Sequence, residues 1–542
     1  MTPMLMPTTG PYATDPDLPE DLRNLRKHVL SRGAANLARY HGRAAEPPAG
    51  MVNLAHYLAL RSVDLRGLQR RLMVQGLSSL GRLESRVLPT LDAVLRAAEI
   101  LNGQAPTVEA TDTRTYFAGE QALRQATDTL FGPPSADRAG RIMVTLQADV
   151  AERPGLALQY VKAGMNVARI NCAHDDPDTW SAIARHVRTA AQRCNRHVPI
   201  HMDIAGPKIR TLEVAADDKK RRIQPGDTLR LVTEGEVHAT KEAPFCARIA
   251  LPGLLSRLNV GDHFAYDDGR LLGQVTSITP RGALVRILHA RAGGARLKPE
   301  KGVNFPDTEL DLSALTDQDR ADLDTVVRLA DIVGYSFVSE AGDIDLLEDA
   351  LAKRPRSLPT LGLVAKIERP QAVRNLPVLI GRASGVRPFG VMIARGDLAA
   401  ELGFERMAEM QEELLWLCEA AHVPVIWATQ VLETLVKDGV PSRGEMTDAA
   451  MATRAECIML NKGPEVVRAI ALLDRLYRRM DGHMHKKTPT LRALRAFEPQ
   501  SSSSPASTPR PRKSTAGVSH AHHESRSVRR ARANRPHRKA HS

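Results

Sequence analysis

Two rhythms of apolar residues divide the chain. From Pro19 to Tyr40, and again from Val52 to Ile100, apolar residues recur at helical spacing: Leu54, Leu58, Leu65, Leu68 and Leu72, then Leu83, Val87, Leu91, Val94 and Leu95. Arg and Glu occupy the other faces. This predicts amphipathic helices that pack on one another or on a main domain, with their charged sides in solvent. After Gly132-Pro133-Pro134 the rhythm changes to short apolar runs alternating with helical stretches. Strands are predicted at Ile142–Leu146, Val167–Asn171 and Val198–Ile204, and helices at Leu156–Ala163 and Asp178–Arg193. The alternation then stops. Arg222 to Arg296 carries short β runs between Gly and Asp turns (Thr228–Val232, His263–Tyr266, Leu284–Leu288), which predicts a small β domain inserted between a strand and its helix.

Alternation resumes with a helix from Asp317 to Ala330, capped by Thr316 and Asp319. Strands follow at Ile332–Phe337, Leu361–Ile367, Val391–Ala394, Val423–Ala428 and Cys457–Leu460, with helices at Ile344–Ala352, Gln371–Ile380, Arg406–Ala421 and Glu465–Met480. Eight strand–helix units joined by parallel crossovers describe an α/β fold of the (β/α)8, or TIM-barrel, type. The expected layout is a helical N-terminal extension over 1–135, barrel segments over 138–212 and 301–484, a small inserted β-barrel domain over 213–300, and a basic low-complexity tail over 485–542.

Composition narrows the class. With 542 residues, 43% hydrophobic and 25% charged, the chain can build a large core. No apolar run approaches the ~18 residues needed to span a bilayer, and no secretory leader is visible, so a membrane role is not expected. The five cysteines are scattered without a Cys-x-x-Cys pair, which argues for reduced thiols in a cytoplasmic protein and against a zinc or disulfide framework. From Ser501 to Ser542, eight Arg and two Lys face one Glu, so +9 of the net +13 lies there. That stretch lacks large apolar side chains and is expected to be disordered. It reads either as a salt-sensitive tether to nucleic acid or an acidic partner, or as a solvated extension without a function.

Candidate chemistry gathers where the strands end: Asn171, Asp203, Ser336, Lys366, Glu368, Asp397 and Thr429. In a barrel this is the face that carries the active site. Lys366 and Glu368, two apart on a strand, project to one side. Alone they read first as a structural ion pair. Together with Asp397 on the next strand they form a cation and a carboxylate pair, suited to holding Mg2+ and neutralising a moving phosphoryl group.

These residues sit in runs that resemble the pyruvate kinase family. The runs are Ala163-Gly-Met-Asn-Val-Ala-Arg-Ile-Asn171, Met202-Asp-Ile-Ala-Gly-Pro-Lys-Ile-Arg-Thr211, Tyr266-Asp-Asp-Gly269, Lys301-Gly-Val-Asn304, Ser336-Phe-Val338, Ala365-Lys-Ile-Glu368, Ile393-Ala-Arg-Gly-Asp-Leu398, Pro424-Val-Ile-Trp-Ala-Thr-Gln430 and Pro441-Ser-Arg-Gly-Glu445. The resemblance spans Arg141 to Met480. It implies phosphoryl transfer from phosphoenolpyruvate to ADP, giving pyruvate and ATP. It also implies Mg2+ (or Mn2+) on Glu368 and Asp397, and Lys366 and Arg169 on the transferred group. Asn171, His174, Arg210 and Lys301 would meet the nucleotide and phosphates. Gly396 and Asp397 would meet the substrate carboxylate, and Thr429 would lie near the enolate carbon. Asp268 would belong to a closing lid.

Departures from the family pattern carry expectations too. Family members usually need K+, with an Asn, a Ser hydroxyl and an Asp among its ligands and a Glu nearby. Here Asn171 and Asp203 are kept, but Ala173 replaces the Ser and Lys208 the Glu. The family contains K+-independent members with Lys at that position, so the resemblance implies that Lys208 stands in for the cation. Asn461-Lys-Gly-Pro464 replaces the usual Ser-Gly-Glu-Thr-Ala, which leaves a weakened ligand-binding paralogue as an alternative. A scaffold acting through the basic tail is a third reading. Beyond Met480 no regulatory α/β domain is legible, so control by fructose bisphosphate is not expected. Any homo-oligomer is expected to form through barrel faces.

Overall fold

A computed structural model describes residues 15–480 apart from 41, 43, 136–137, 219–220, 268, 311 and 355–360. The expectations for the basic tail and for Asp268 lie outside the described residues. Eight parallel strands close a barrel: Arg141–Leu146, Val167–Asn171, Ile200–Ile204, Ile332–Tyr335, Gly362–Ile367, Phe389–Ala394, Val425–Ala428 and Cys457–Leu460, the last pairing back onto the first. The fourth strand stops at Tyr335 because Phe337 turns into left-handed backbone, with φ +58°. The Asp317–Leu329 helix carries the expected Thr316–Asp319 capping box. A helix at Arg443–Ala452 follows the seventh strand where the apolar pattern predicts none. Only Ala449 and Ala452 are buried on it, so it has no stripe to read, and its start is set by a Ser442–Glu445 capping box. Among the described residues no helix is long and apolar enough to cross a membrane.

The barrel interior is apolar at one end and charged at the other. Met143, Val167, Ile332, Val364, Met392 and Ile426 fill the apolar end together with Leu130 and Phe131, which come from the helix Ala118–Phe131 of the N-terminal extension. Leu130 enters because the fifth strand begins with glycine and the sixth has glycine at its second position. A Cβ at either Gly362 or Gly390 would stand 2.6 Å from a Leu130 methyl. The extension thus supplies the plug of the barrel floor.

Four of its other helices, Leu18–Tyr40, Ala49–Leu60, Arg66–Val74 and Val87–Leu101, share one continuous apolar core with the barrel. Asn53 ties this layer to the barrel by donating to both Glu84 O (2.7 Å) and Ala420 O (2.8 Å). Acidic side chains are trapped here. Burial, reinforced by Glu84 and Glu456, pushes the Glu419 carboxyl up to about 8, and burial pushes Glu456 up to about 7. Carboxyls raised above their unfolded value of ~4.5 take up protons on folding. Their protonated forms therefore favour the fold fully at low pH, and that contribution is lost as pH rises from ~4.5 toward 8. Unfolding free energy should fall by up to about 1.4 kcal/mol per pH unit for each proton involved, and the melting temperature should fall with it between pH 5.5 and 8.5. Glu419→Gln should flatten that slope in a thermal melt series. An unchanged slope would show that the carboxyl is not the titrating group.

The inserted region is a seven-stranded, mostly antiparallel sheet built from Thr211–Ala216, Thr228–Val232, Phe245–Ile249, His263–Tyr266, Leu271–Thr279, Gly282–Ala290 and Val303–Asn304. It has its own apolar core. Asn304 donates to Glu401 Oε1 at 2.7 Å, tying its returning strand to the helix Arg395–Leu402, which begins at the end of the sixth barrel strand.

Candidate active site

A cavity of about 300 Å³ opens at the C-terminal ends of the strands, between the barrel and the returning strand of the inserted sheet. Arg169, Asn171 and His174 reach it from the second strand and its loop, and Lys208 and Arg210 from beyond the third. Lys366, Glu368, Asp397 and Thr429 line it from the fifth to seventh strands, and Lys301 from the inserted sheet. Most residues expected from the sequence are therefore brought together. Asp203 is not in the lining. It lies beneath, fully buried. Gly396 stands just behind, its N–H donating to Thr429 Oγ1 at 2.8 Å.

The charged groups form one network. Lys366 Nζ donates to Ser336 Oγ at 2.7 Å and pairs with Glu368 Oε1 at 3.1 Å and Asp203 Oδ2 at 3.6 Å. Burial alone would lower the pKa of this ammonium, but Asp203 and Glu368 outweigh it and raise it, so Lys366 stays charged. Arg169 donates to Asp203 Oδ2 through Nε (2.8 Å) and Nη2 (2.5 Å), and to Thr145 Oγ1 through Nη1 (2.9 Å). Burial would raise the pKa of Asp203, but Arg169, Lys366 and His201 hold its carboxyl well below the usual range. Glu368 accepts from the amide of Phe337 at 2.6 Å, a bond made possible by the left-handed turn at that residue. Thr429 and Gln430, at φ +64° and +57°, form a second such turn, which presents the Thr429 hydroxyl to the cavity.

Burial raises the Glu368 carboxyl, and Asp397 adds to the effect. Two mutually repelling carboxylates beside phosphate-sized space are a donor set that a divalent cation would relieve, so these residues fit Mg2+ or Mn2+. The monovalent site fits poorly. Asn171 Oδ1 accepts from Ala173 N at 3.2 Å, Ala173 offers no side-chain oxygen, and both oxygens of Asp203 are taken by His201, Arg169 and Lys366. Lys208 Nζ, from the position of the expected stand-in, donates to Asp397 Oδ1 at 2.6 Å. Lys301 pairs at 3.1 Å with Asp267, which also lines the cavity, and Arg210 donates to Glu300 O at 3.0 Å.

Sequence reasoning passed over three contributors. Thr145 and His201 face the interior, and the alternation His201-Met202-Asp203 was the available signal, since positions two apart share a face. Lys462, from the segment that departs from the family pattern, joins burial in lowering the pKa of His174. No signal in one sequence places Lys462 near that loop, because the two come together only when the eighth strand closes the barrel onto the first, which the second strand also flanks.

Comparison with known proteins agrees with this geometry. Residues 138–464 match the family model described as pyruvate kinase, barrel domain. Pyruvate kinase 2 of Trypanosoma brucei brucei is 31% identical over 338 residues, covering 61% of this chain and 64% of that protein. The Geobacillus stearothermophilus pyruvate kinase is 32% identical over 322 residues, covering 58% and 51%. The chain thus spans less than two thirds of the length of these relatives. The crystal structure of a pyruvate kinase from Cryptosporidium parvum superimposes with a TM-score of 0.55 at 26% identity, covering 66% of this chain and 73% of that one. With a family model matched over most of its length and the family's motifs converging on one cavity, the chain belongs to the pyruvate kinase family.

Proposed function

We propose that this protein transfers the phosphoryl group of phosphoenolpyruvate to ADP. The observation that carries this reading is the convergence of Lys366, Arg169, Glu368 and Asp397 on one cavity at the C-terminal mouth of the barrel. Two cations face the place where a phosphoryl group would sit, and two carboxylates flank it. When bound by Glu368 and Asp397, a divalent cation would supply screening of the phosphate oxygens. Lys366 is held by Ser336 and Glu368 and by the charge of Asp203, so its own charge is already placed where negative charge would develop, with little reorganisation. Arg169 is fixed by Asp203 and Thr145 and keeps N–H groups to spare for a phosphate oxygen. Thr429 Oγ1 accepts from Gly396 N, which leaves its own proton to donate toward an enolate carbon. Asn171, His174, Arg210 and Lys301 are assigned to the nucleotide side.

Potassium independence is part of the proposal. It is supported by the occupied oxygens of Asp203, the methyl of Ala173 and the ammonium of Lys208 within the site. The reaction is tested by coupling pyruvate formation to NADH oxidation with purified full-length protein, phosphoenolpyruvate and ADP. Steady turnover that EDTA abolishes and Mg2+ or Mn2+ restores is expected. Absence of pyruvate under saturating substrates and metal would overturn the proposal.

A further inference from the structure

We propose that His201 is a positioning residue for the phosphoryl-binding cations, acting through Asp203. His201 is on the third barrel strand, one inward-facing position below Asp203, and both side chains are 0% exposed. His201 Nε2 donates to Asp203 Oδ1 at 2.5 Å. The other oxygen of the same carboxylate, Oδ2, carries the remaining load: Arg169 at 2.5 and 2.8 Å and Lys366 at 3.6 Å. A carboxylate gripped on one oxygen only is free to rotate about its Cβ–Cγ bond. Gripped on both, it becomes a fixed anchor. His201 therefore sets the angle at which Asp203 holds the guanidinium of Arg169 and the ammonium of Lys366 toward the cavity above.

Two further observations separate this from ordinary core packing. The neighbouring strand is cut away to make room. A Cβ at Gly334 would lie 1.9 Å from Asp203 Oδ1 and 2.5 Å from His201 Nε2, so the pair exists only opposite glycine. The imidazole also sits at a cost. Its Nδ1 is buried without a hydrogen-bond partner, a deficit that an apolar side chain would avoid. Space is cleared and a polar atom is left unsatisfied, and what is gained is the hydrogen bond to the anchor of the two cations.

The inference rests on the proposed phosphoryl transfer, and the test separates the two. Three full-length proteins are compared: wild type, His201→Leu and His201→Gln. Leu fills the space and removes the hydrogen bond. Gln keeps an N–H donor at about the reach of Nε2. Three quantities are read: melting temperature, affinity for phosphoenolpyruvate by calorimetry, and kcat in the coupled assay at a temperature where every variant is folded by circular dichroism. If His201 only packs the barrel, function follows stability and Leu equals or exceeds Gln in all three. If His201 positions the cations, the orders cross. Leu melts as high as Gln or higher, yet loses about tenfold or more in kcat and several-fold in phosphoenolpyruvate affinity, while Gln stays within a few-fold of wild type in both. A His201→Leu protein that binds phosphoenolpyruvate and turns over like wild type overturns the inference, as does a His201→Gln protein no better than Leu. If wild type makes no pyruvate, the proposed reaction fails, and the calorimetric order of the two variants still decides the role of His201.

Discussion

Lys366→Met should cut kcat by at least a hundredfold, about 3 kcal/mol of transition-state stabilisation or more, while KM for phosphoenolpyruvate changes far less. The size follows from where the charge sits. The ammonium is buried, oriented by Ser336, Glu368 and Asp203, and kept protonated by the two carboxylates. A preorganised charge in a poorly solvated site acts most strongly on the state in which the phosphoryl group is in flight. Met matches the length of the chain without the charge. It also leaves Glu368 and Asp203 with one cation fewer, so some loss of stability accompanies the loss of rate. The measurement is steady-state pyruvate formation, with circular dichroism to establish that the variant is folded. Near-normal turnover would remove Lys366 from the catalytic role.

Lys208→Glu should be the second most damaging single change, lowering kcat/KM by one to two orders of magnitude. In the wild type the ammonium lies 2.6 Å from Asp397 Oδ1. The substitution places a carboxylate there, repels a proposed metal ligand and removes a positive charge from the phosphate side of the cavity. The wild-type protein should be fully active with a bulky organic ion such as tetramethylammonium as the only monovalent cation. In the variant, added K+ should restore only part of the activity unless Ala173→Ser returns a ligand oxygen as well. A wild-type enzyme that is silent without K+ and many-fold activated by it would refute the assignment of Lys208.

The barrel was legible because its strands are short, apolar and punctuated by charge, and because the Thr316–Asp319 cap marks a helix start. The helix at Arg443–Ala452 was not, since it lies on the surface with a single small buried edge and so leaves no periodic trace. Site residues at strand ends could be named because motif and fold place them on one face. His201 escaped because a buried histidine two positions from an aspartate reads as core, and its meaning depends on Gly334 opposite, more than a hundred residues away in sequence. The company that Lys208 keeps was equally hidden. The sequence marks it as unusual, but the ion pair with Asp397 depends on how the third-strand loop and the sixth-strand helix approach each other.

The floor plug has a bearing on how this protein is divided. The segment that matches the family model begins at residue 138, yet Leu130 and Phe131 belong to the same apolar cluster inside the barrel as Met392 and Met459, two side chains that also line the candidate cavity. The stretch recognisable by ancestry is therefore smaller than the body that shares one apolar core, and the two are expected to melt together. A chimera that joined this barrel to another protein at the family boundary would inherit an open shaft below the candidate site. Glycines at 362 and 390 would face a void shaped for a leucine that was left behind.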